Sequence, residues 1–143
     1  MKPKKIAPKI STLQAKADIL MSEYIRRKWS DQDGLVTCVS CGKRLHWKEA
    51  DCGHFVPKSR GASIRYVEEN CAPECPGCNR FNEGHLIGYT RWMIEYYGPE
   101  KIDELQNEAR KVLSPSQKSA IVEEAIAYYR DRLQQLEKDN GAV

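Results

Sequence analysis

Apolar residues recur at helical spacing in the first and last thirds of the chain and cluster into short runs between them. From Ser11 or Thr12 as N-cap, Leu13, Ala17, Leu20, Met21, Tyr24 and Ile25 fall three and four residues apart. Arg26, Arg27 and Lys28 gather where that pattern ends, the end at which a helix dipole favours cations. A helix over 11–30 is expected. Asp31 to Gly34 closes it as a turn, Leu35 to Val39 is a short β-branched run, and Cys41-Gly42-Lys43 turns the chain again. Arg44 to Trp47 and Gly53 to Val56 then flank a short polar connection, as the strands of a hairpin do. Pro57 to Tyr66 reads as an exposed basic loop. From Asn79, the residues Phe81, Leu86, Ile87, Tyr89, Trp92, Met93 and Tyr96 predict helix to about Tyr97, interrupted at Gly84 and stopped by Gly98. Pro99 opens a helix to Lys111. Ser114 and Gln117 around Pro115 form a capping box opening a last helix to about Lys138. The stripe Ile121, Ala125, Tyr128, Tyr129, Leu133 and Leu136 should pack that helix on the core or pair it with a second copy, as a homodimer would.

Composition limits what this pattern can build. A chain of 143 residues with 41% hydrophobic content suits one domain, taken as 11–143: the helix at 11–30, a core at 35–97 and C-terminal helices at 99–139. Residues 1–10, with Pro3, Pro8 and four lysines, read as a flexible basic arm. No run approaches the roughly 18 apolar residues of a membrane span, and the N-terminus lacks the apolar core of a secretory signal, so a soluble, cytoplasmic protein without a membrane partner is expected. In a reducing compartment six cysteines are more naturally metal ligands or buried thiols than disulfides. Charge is unevenly spread: residues 1–30 carry eight basic groups against two acidic, and 43–66 carry six against two. The rest is net acidic, a distribution suited to a polyanion bound by one side of the molecule.

The candidate chemistry begins with Cys38-Val-Ser-Cys41 and Cys75-Pro-Gly-Cys78, separated by 33 residues. A two-residue gap lets a tight turn aim both thiolates at one tetrahedral ion, so the four cysteines are expected to hold a structural Zn²⁺. A redox pair is the alternative, disfavoured because neither pair begins a helix within a βαβ pattern. Cys52 and Cys71 read as small buried hydrophobes, and His46, between Leu45 and Trp47, as a hydrogen-bonded core residue. Tyr24, Trp29, Trp92, Tyr96 and Tyr97 have helical spacing and belong to core or interface rather than to a base-stacking platform.

His54 follows Asp51-Cys-Gly and precedes Phe-Val-Pro57, Asn70 stands five residues before Cys75, and Asn79 directly follows Cys78. This arrangement resembles the HNH nuclease pattern in its His-Asn-Asn form, and more closely the phage lambda Rap (NinG) family of recombination endonucleases. The likeness runs through Ser22 to Arg27, Thr37 to Gly42, Leu45 to Phe55, Glu69 to Cys71 and Cys75 to Asn79, then more weakly to Gly98. It implies an α+β fold: a small ββα-metal (HNH-like, treble-clef-type) zinc-knuckle core with an N-terminal helix and C-terminal helices. It also implies cleavage of branched recombination intermediates with Mg²⁺ or Mn²⁺, alongside host or phage recombination proteins. By that resemblance His54 is the general base, Asn79 a ligand of the catalytic metal and Asn70 the residue holding the loop that orients His54. Such chemistry suits the residues, since phosphodiester hydrolysis needs a base to activate water and a cation to neutralise charge.

The chain departs from the pattern at Gly53, where many HNH enzymes carry a metal-binding Asp. By the resemblance, Asp51 matches the acid of an Asp-Ala-Gly-His segment in Rap-like proteins, with Cys52 in the Ala place, and is the acidic ligand it implies, with Glu83 and His85 in reserve. Because Asp51 and His54 lie on opposite faces of a regular strand, a bend at Gly53 would be required for both to meet one phosphate. Lys4, Lys5, Arg26, Arg27, Lys58, Arg60 and Arg65 are the expected DNA contacts. A non-catalytic zinc-knuckle DNA-binding module is the alternative reading, favoured by Gly53; a protein-interaction adaptor would leave the basic residues without a purpose.

Overall fold

The computed structural model describes residues 1–81 and 86–141. Its elements run α1 (Ile10–Lys28), β1 (Leu35–Thr37), β2 (Arg44–His46), β3 (Asp51–His54), β4 (Cys71–Glu74), α2 (Leu86–Tyr97), α3 (Pro99–Ala109) and α4 (Pro115–Gly141). Single 3-10 turns at Ala62–Ile64 and Glu68–Asn70 lead into β4, and one π-helical turn at Gly77–Phe81 follows the second cysteine pair. The architecture is mixed: helices around two small antiparallel sheets.

The first pairing follows from the knuckle turn. Gly42 sits at φ +81°, a left-handed conformation that favours glycine. Its N–H donates to the Cys38 carbonyl at 2.8 Å, and the Cys38 N–H donates to Lys43 at 2.8 Å. That turn zips β1 to β2, with Val36 opposite Leu45. The hairpin expected between Arg44–Trp47 and Gly53–Val56 is not formed, because β2 is already engaged. Instead β3 pairs with β4, in the register Asp51 to Glu74 and His54 to Cys71. Phe55 and Val56 leave the strand, their N–H groups donating to the Asn70 carbonyl and to Asn70 Oδ1, each at 2.8 Å.

The β3–β4 hairpin lies between two apolar clusters. On one face Cys71 joins Ala17, Met21, Tyr24 and Ile25 of α1 and Val122, Ala125, Ile126, Tyr129 and Leu133 of α4. On the other, Ala72 joins Phe55 and Ile64 with Tyr89 and Met93 of α2 and Leu105 of α3. A third cluster, Val36, Leu45 and Ala50, surrounds the cysteine pairs.

Several boundaries differ from expectation. α1 begins at Ile10 because the Lys9 carbonyl accepts the Thr12 and Leu13 N–H groups, so neither Ser11 nor Thr12 caps it. The capping box of α4 is formed: Gln117 N–H donates to Ser114 Oγ at 3.2 Å, and Ser114 N–H to Gln117 Oε1 at 2.8 Å. Its buried stripe is rotated towards Val122 and Ile126, leaving Tyr128 exposed. The expected interruption at Gly84 and the reserve ligands Glu83 and His85 lie outside the described residues. Among the described residues, no helix is long and apolar enough to cross a membrane.

Candidate metal centre and adjoining cleft

The two cysteine turns meet. The sulfurs of Cys38, Cys41, Cys75 and Cys78 all lie within 4.8 Å of one another, and Cys41 Sγ is 3.8 Å from Cys75 Sγ. Four thiolates at the usual Zn–S length of about 2.3 Å on a tetrahedron stand about 3.8 Å apart, so this all-sulfur donor set fits a closed structural zinc site. The second turn is shaped for the same purpose: Cys78 N–H points at Cys75 Sγ at 3.4 Å and Asn79 N–H donates to the Cys75 carbonyl at 3.0 Å. Cys52 and Cys71 take no part in the cluster; Cys71 is buried with its thiol 3.9 Å from Met21 sulfur.

A cleft of about 500 Å³ opens beside this centre, between α1 and β3. Asp51, His54 and Asn79 all line it, together with Asp18, Arg26, Lys48, Lys58 and Arg80. β3 keeps its antiparallel register with β4 through Gly53, and both Asp51 and His54 line the cleft. Asp51 Oδ2 accepts from Asn79 Nδ2 at 3.0 Å, and the Arg80 guanidinium reaches both Asp51 oxygens at 2.9 and 2.8 Å. In this arrangement the Asp51 carboxylate is held by the Asn79 amide nitrogen and the Arg80 guanidinium; carboxylate and amide oxygens are hard donors of the kind Mg²⁺ or Mn²⁺ takes, so Asp51 and, with its amide turned, Asn79 are chemically suited to such an ion.

His54 lies 2.8 Å through Nε2 from the Arg65 carbonyl. Burial pulls its pKa from 6.5 down to about 4, against the Arg65 hydrogen bond and with the Lys58 charge. The ring is therefore neutral near pH 7; a neutral imidazole has one donor and one acceptor, so donation from Nε2 leaves the lone pair on Nδ1. Asn70, with no exposed surface, does not bond His54 itself. Its Nδ2 donates to the Val56 carbonyl at 3.0 Å and its Oδ1 accepts from Val56 N–H, which fixes the chain leaving His54.

Gly53 has a steric cause. A Cβ there would fall 2.0 Å from Glu74 Oε1, because the Glu74 side chain, 1% exposed, crosses the space above Gly53. Burial raises the Glu74 carboxyl to about 7, partly offset by the Ser40 hydroxyl, which donates to Oε2 at 2.6 Å. The acid absent before His54 is thus replaced in volume, by a residue that faces the opposite side of the sheet from His54.

The expected DNA contacts separate into groups. Arg26 lines the cleft, donates to the Trp47 carbonyl at 3.1 Å and lies over the Trp47 ring. Lys58 also lines the cleft, whereas Arg65 is tied to Asp18. Arg27 stands 3.8 Å from both Glu23 and Glu137. Arg60 is exposed but lines a different cleft, with Phe55 and Ile102, and Lys4 and Lys5 lie in the exposed arm. Sequence reasoning missed Asp18, Lys48 and Arg80 as cleft residues. Asp18 and Lys48 left only a trace in the charge distribution, as one of two acids among the first thirty residues and one of six basic groups in 43–66.

A family model described as Bacteriophage Lambda NinG protein matches residues 1–139. The chain belongs to the NinG family. Protein ninG of Salmonella phage P22 is 29% identical over 91 residues, 64% of this chain and 42% of that protein. Protein ninG of Escherichia phage lambda is 30% identical over 87 residues, 61% and 40% respectively. The matches thus span less than half the length of these NinG relatives. No solved structure matches the chain.

Proposed function

We propose that this NinG-family chain is a divalent-metal-dependent DNA endonuclease acting on branched recombination intermediates, built on an HNH-like ββα-metal core. One observation carries the reading: a half-buried, neutral His54 with its tautomer set by a backbone carbonyl shares a cleft with Asp51, Asn79 and four cationic side chains. Each part has a role in phosphodiester hydrolysis. His54 Nδ1 takes a proton from water as the water oxygen bonds to phosphorus and the bond to the sugar oxygen breaks. Asp51 and Asn79 would hold Mg²⁺ or Mn²⁺, which supplies charge neutralisation at the phosphate and leaving oxygen. Arg26, Lys48, Lys58 and Arg80 can bind the flanking phosphates, giving affinity that falls with salt. Asn70 keeps the chain after His54 in place, and the cysteine centre fixes Asn79 one residue from Cys78. The preference for branched DNA rests on the resemblance to recombination endonucleases.

The test is cleavage of plasmid, D-loop and four-way-junction DNA with and without Mg²⁺ or Mn²⁺. Metal-dependent cutting is expected, with the branched substrates preferred. His54→Ala should lower the rate by about 10²- to 10⁴-fold while zinc content and DNA affinity stay near parental values, and His46→Ala should cut almost normally. Salt-dependent DNA binding without cleavage under any divalent cation would instead favour the non-catalytic zinc-knuckle binding module.

A further inference from the structure

Arg65 faces two ways. Its backbone carbonyl holds His54 Nε2 at 2.8 Å, and its side chain turns to α1, where Nε and Nη2 meet the Asp18 carboxylate oxygens at 3.1 and 2.5 Å. The two side chains are 21% and 24% exposed, so the pair is mostly screened from solvent. It is also bidentate, an arrangement that fixes orientation as well as distance. Neighbouring bonds hold the same segment: Tyr66 Oη donates to the Gln14 carbonyl on α1 at 3.4 Å, and Tyr129 Oη on α4 donates to the Tyr66 carbonyl at 2.5 Å.

We propose that Asp18 and Arg65 are positioning residues for His54: the ion pair fixes the Arg65 peptide so that its carbonyl sets the tautomer and direction of the imidazole. The functional consequence rests on the nuclease reading above, but the structural claim does not. No other described group bonds His54 Nε2, and the carbonyl's place depends on a loop that lacks regular strand pairing. Without the pair the Arg65 peptide can rotate, Nε2 loses its fixed acceptor, and the imidazole in the cleft wall is free to turn. A base displaced by about 1 Å commonly costs about a hundredfold in rate without a matching loss of ground-state binding. Lys58, at 3.9 Å from Asp18, does not touch the Arg65 peptide and cannot substitute.

The test compares the zinc-loaded parent with Asp18→Asn, Arg65→Met and the double variant, using long-range proton–nitrogen correlation spectra with His54 assigned through His54→Gln. The parent should show a single Nε2-protonated tautomer, and each variant a mixture, while zinc content stays at the parental level. Cleavage of branched DNA by Asp18→Asn should fall about 10- to 100-fold in kcat with KM changed less than about twofold. Because the two residues act as one unit, the double variant should be no worse than the weaker single. A parental tautomer in Asp18→Asn, or losses that multiply in the double variant, would overturn the clamp. If the parent cleaves no DNA, the nuclease reading falls and the tautomer spectra alone decide the clamp.

Discussion

Glycine at position 53 is enforced by a neighbour and not by backbone conformation. Since a Cβ would stand 2.0 Å from Glu74 Oε1, Gly53→Ala should destabilise the fold by about 1–3 kcal/mol, read as a lower urea midpoint with an unchanged slope. Gly53→Asp, although it restores the acid common before the histidine in HNH enzymes, should be worse still unless Glu74 is shortened with it. His54 makes a pH prediction. Its pKa is about 4 folded against an ordinary 6.5, so between those values the unfolded chain binds more protons and stability rises with pH. This contribution is fully present above pH 6.5 and disappears as pH falls through 4; His54→Gln should flatten stability measured across that window. The spacing of His54, Asn70 and Asn79 around two cysteine pairs was legible in the sequence. The Asp18–Arg65 pair was not, because 47 residues separate its members and neither belongs to a motif.

Among the elements, α1 is more than an N-terminal appendage: its buried face closes the cluster with α4, and its opposite shoulder forms a wall of the cleft. Ile25, with no exposed surface, is at the centre of that packing, and Ile25→Ala should cost about 2–5 kcal/mol in chemical denaturation. The helices were readable because apolar period and capping chemistry are local: the Ser114–Gln117 box appears in the structure as the residue types predict. Strand pairing was misread because runs of three or four residues do not encode their partners. The polar connection between Arg44–Trp47 and Gly53 resembled a hairpin loop, while the true partner of β3 lay across the basic loop, just before Cys75. The rotation of the α4 stripe has a similar origin, since a broad apolar face does not say which edge meets α1.

At the scale of the molecule, the cysteine centre joins the β1–β2 hairpin to the end of β4 and to the turn that carries Asn79. Zinc should be present at one ion per chain, measured by elemental analysis. Chelation, or Cys38→Ser, should lower the thermal midpoint and loosen the Asp51–Asn79 pair together, because ion binding contributes folding free energy to a cluster with little other core. Retention of full stability without the ion would remove the centre from the architecture.

The packing of α4 on α1 also sets an order of events during synthesis. The cysteine turns, His54 and both asparagines are all synthesised by residue 79, yet the α1 wall is buried against Val122, Ile126, Tyr129 and Leu133, some fifty residues later. A nascent chain can therefore assemble its metal centre early, while Asp18 and the Arg65 carbonyl come to rest only as the last helix docks. A chain arrested before α4 should therefore bind zinc but leave His54 without its fixed tautomer.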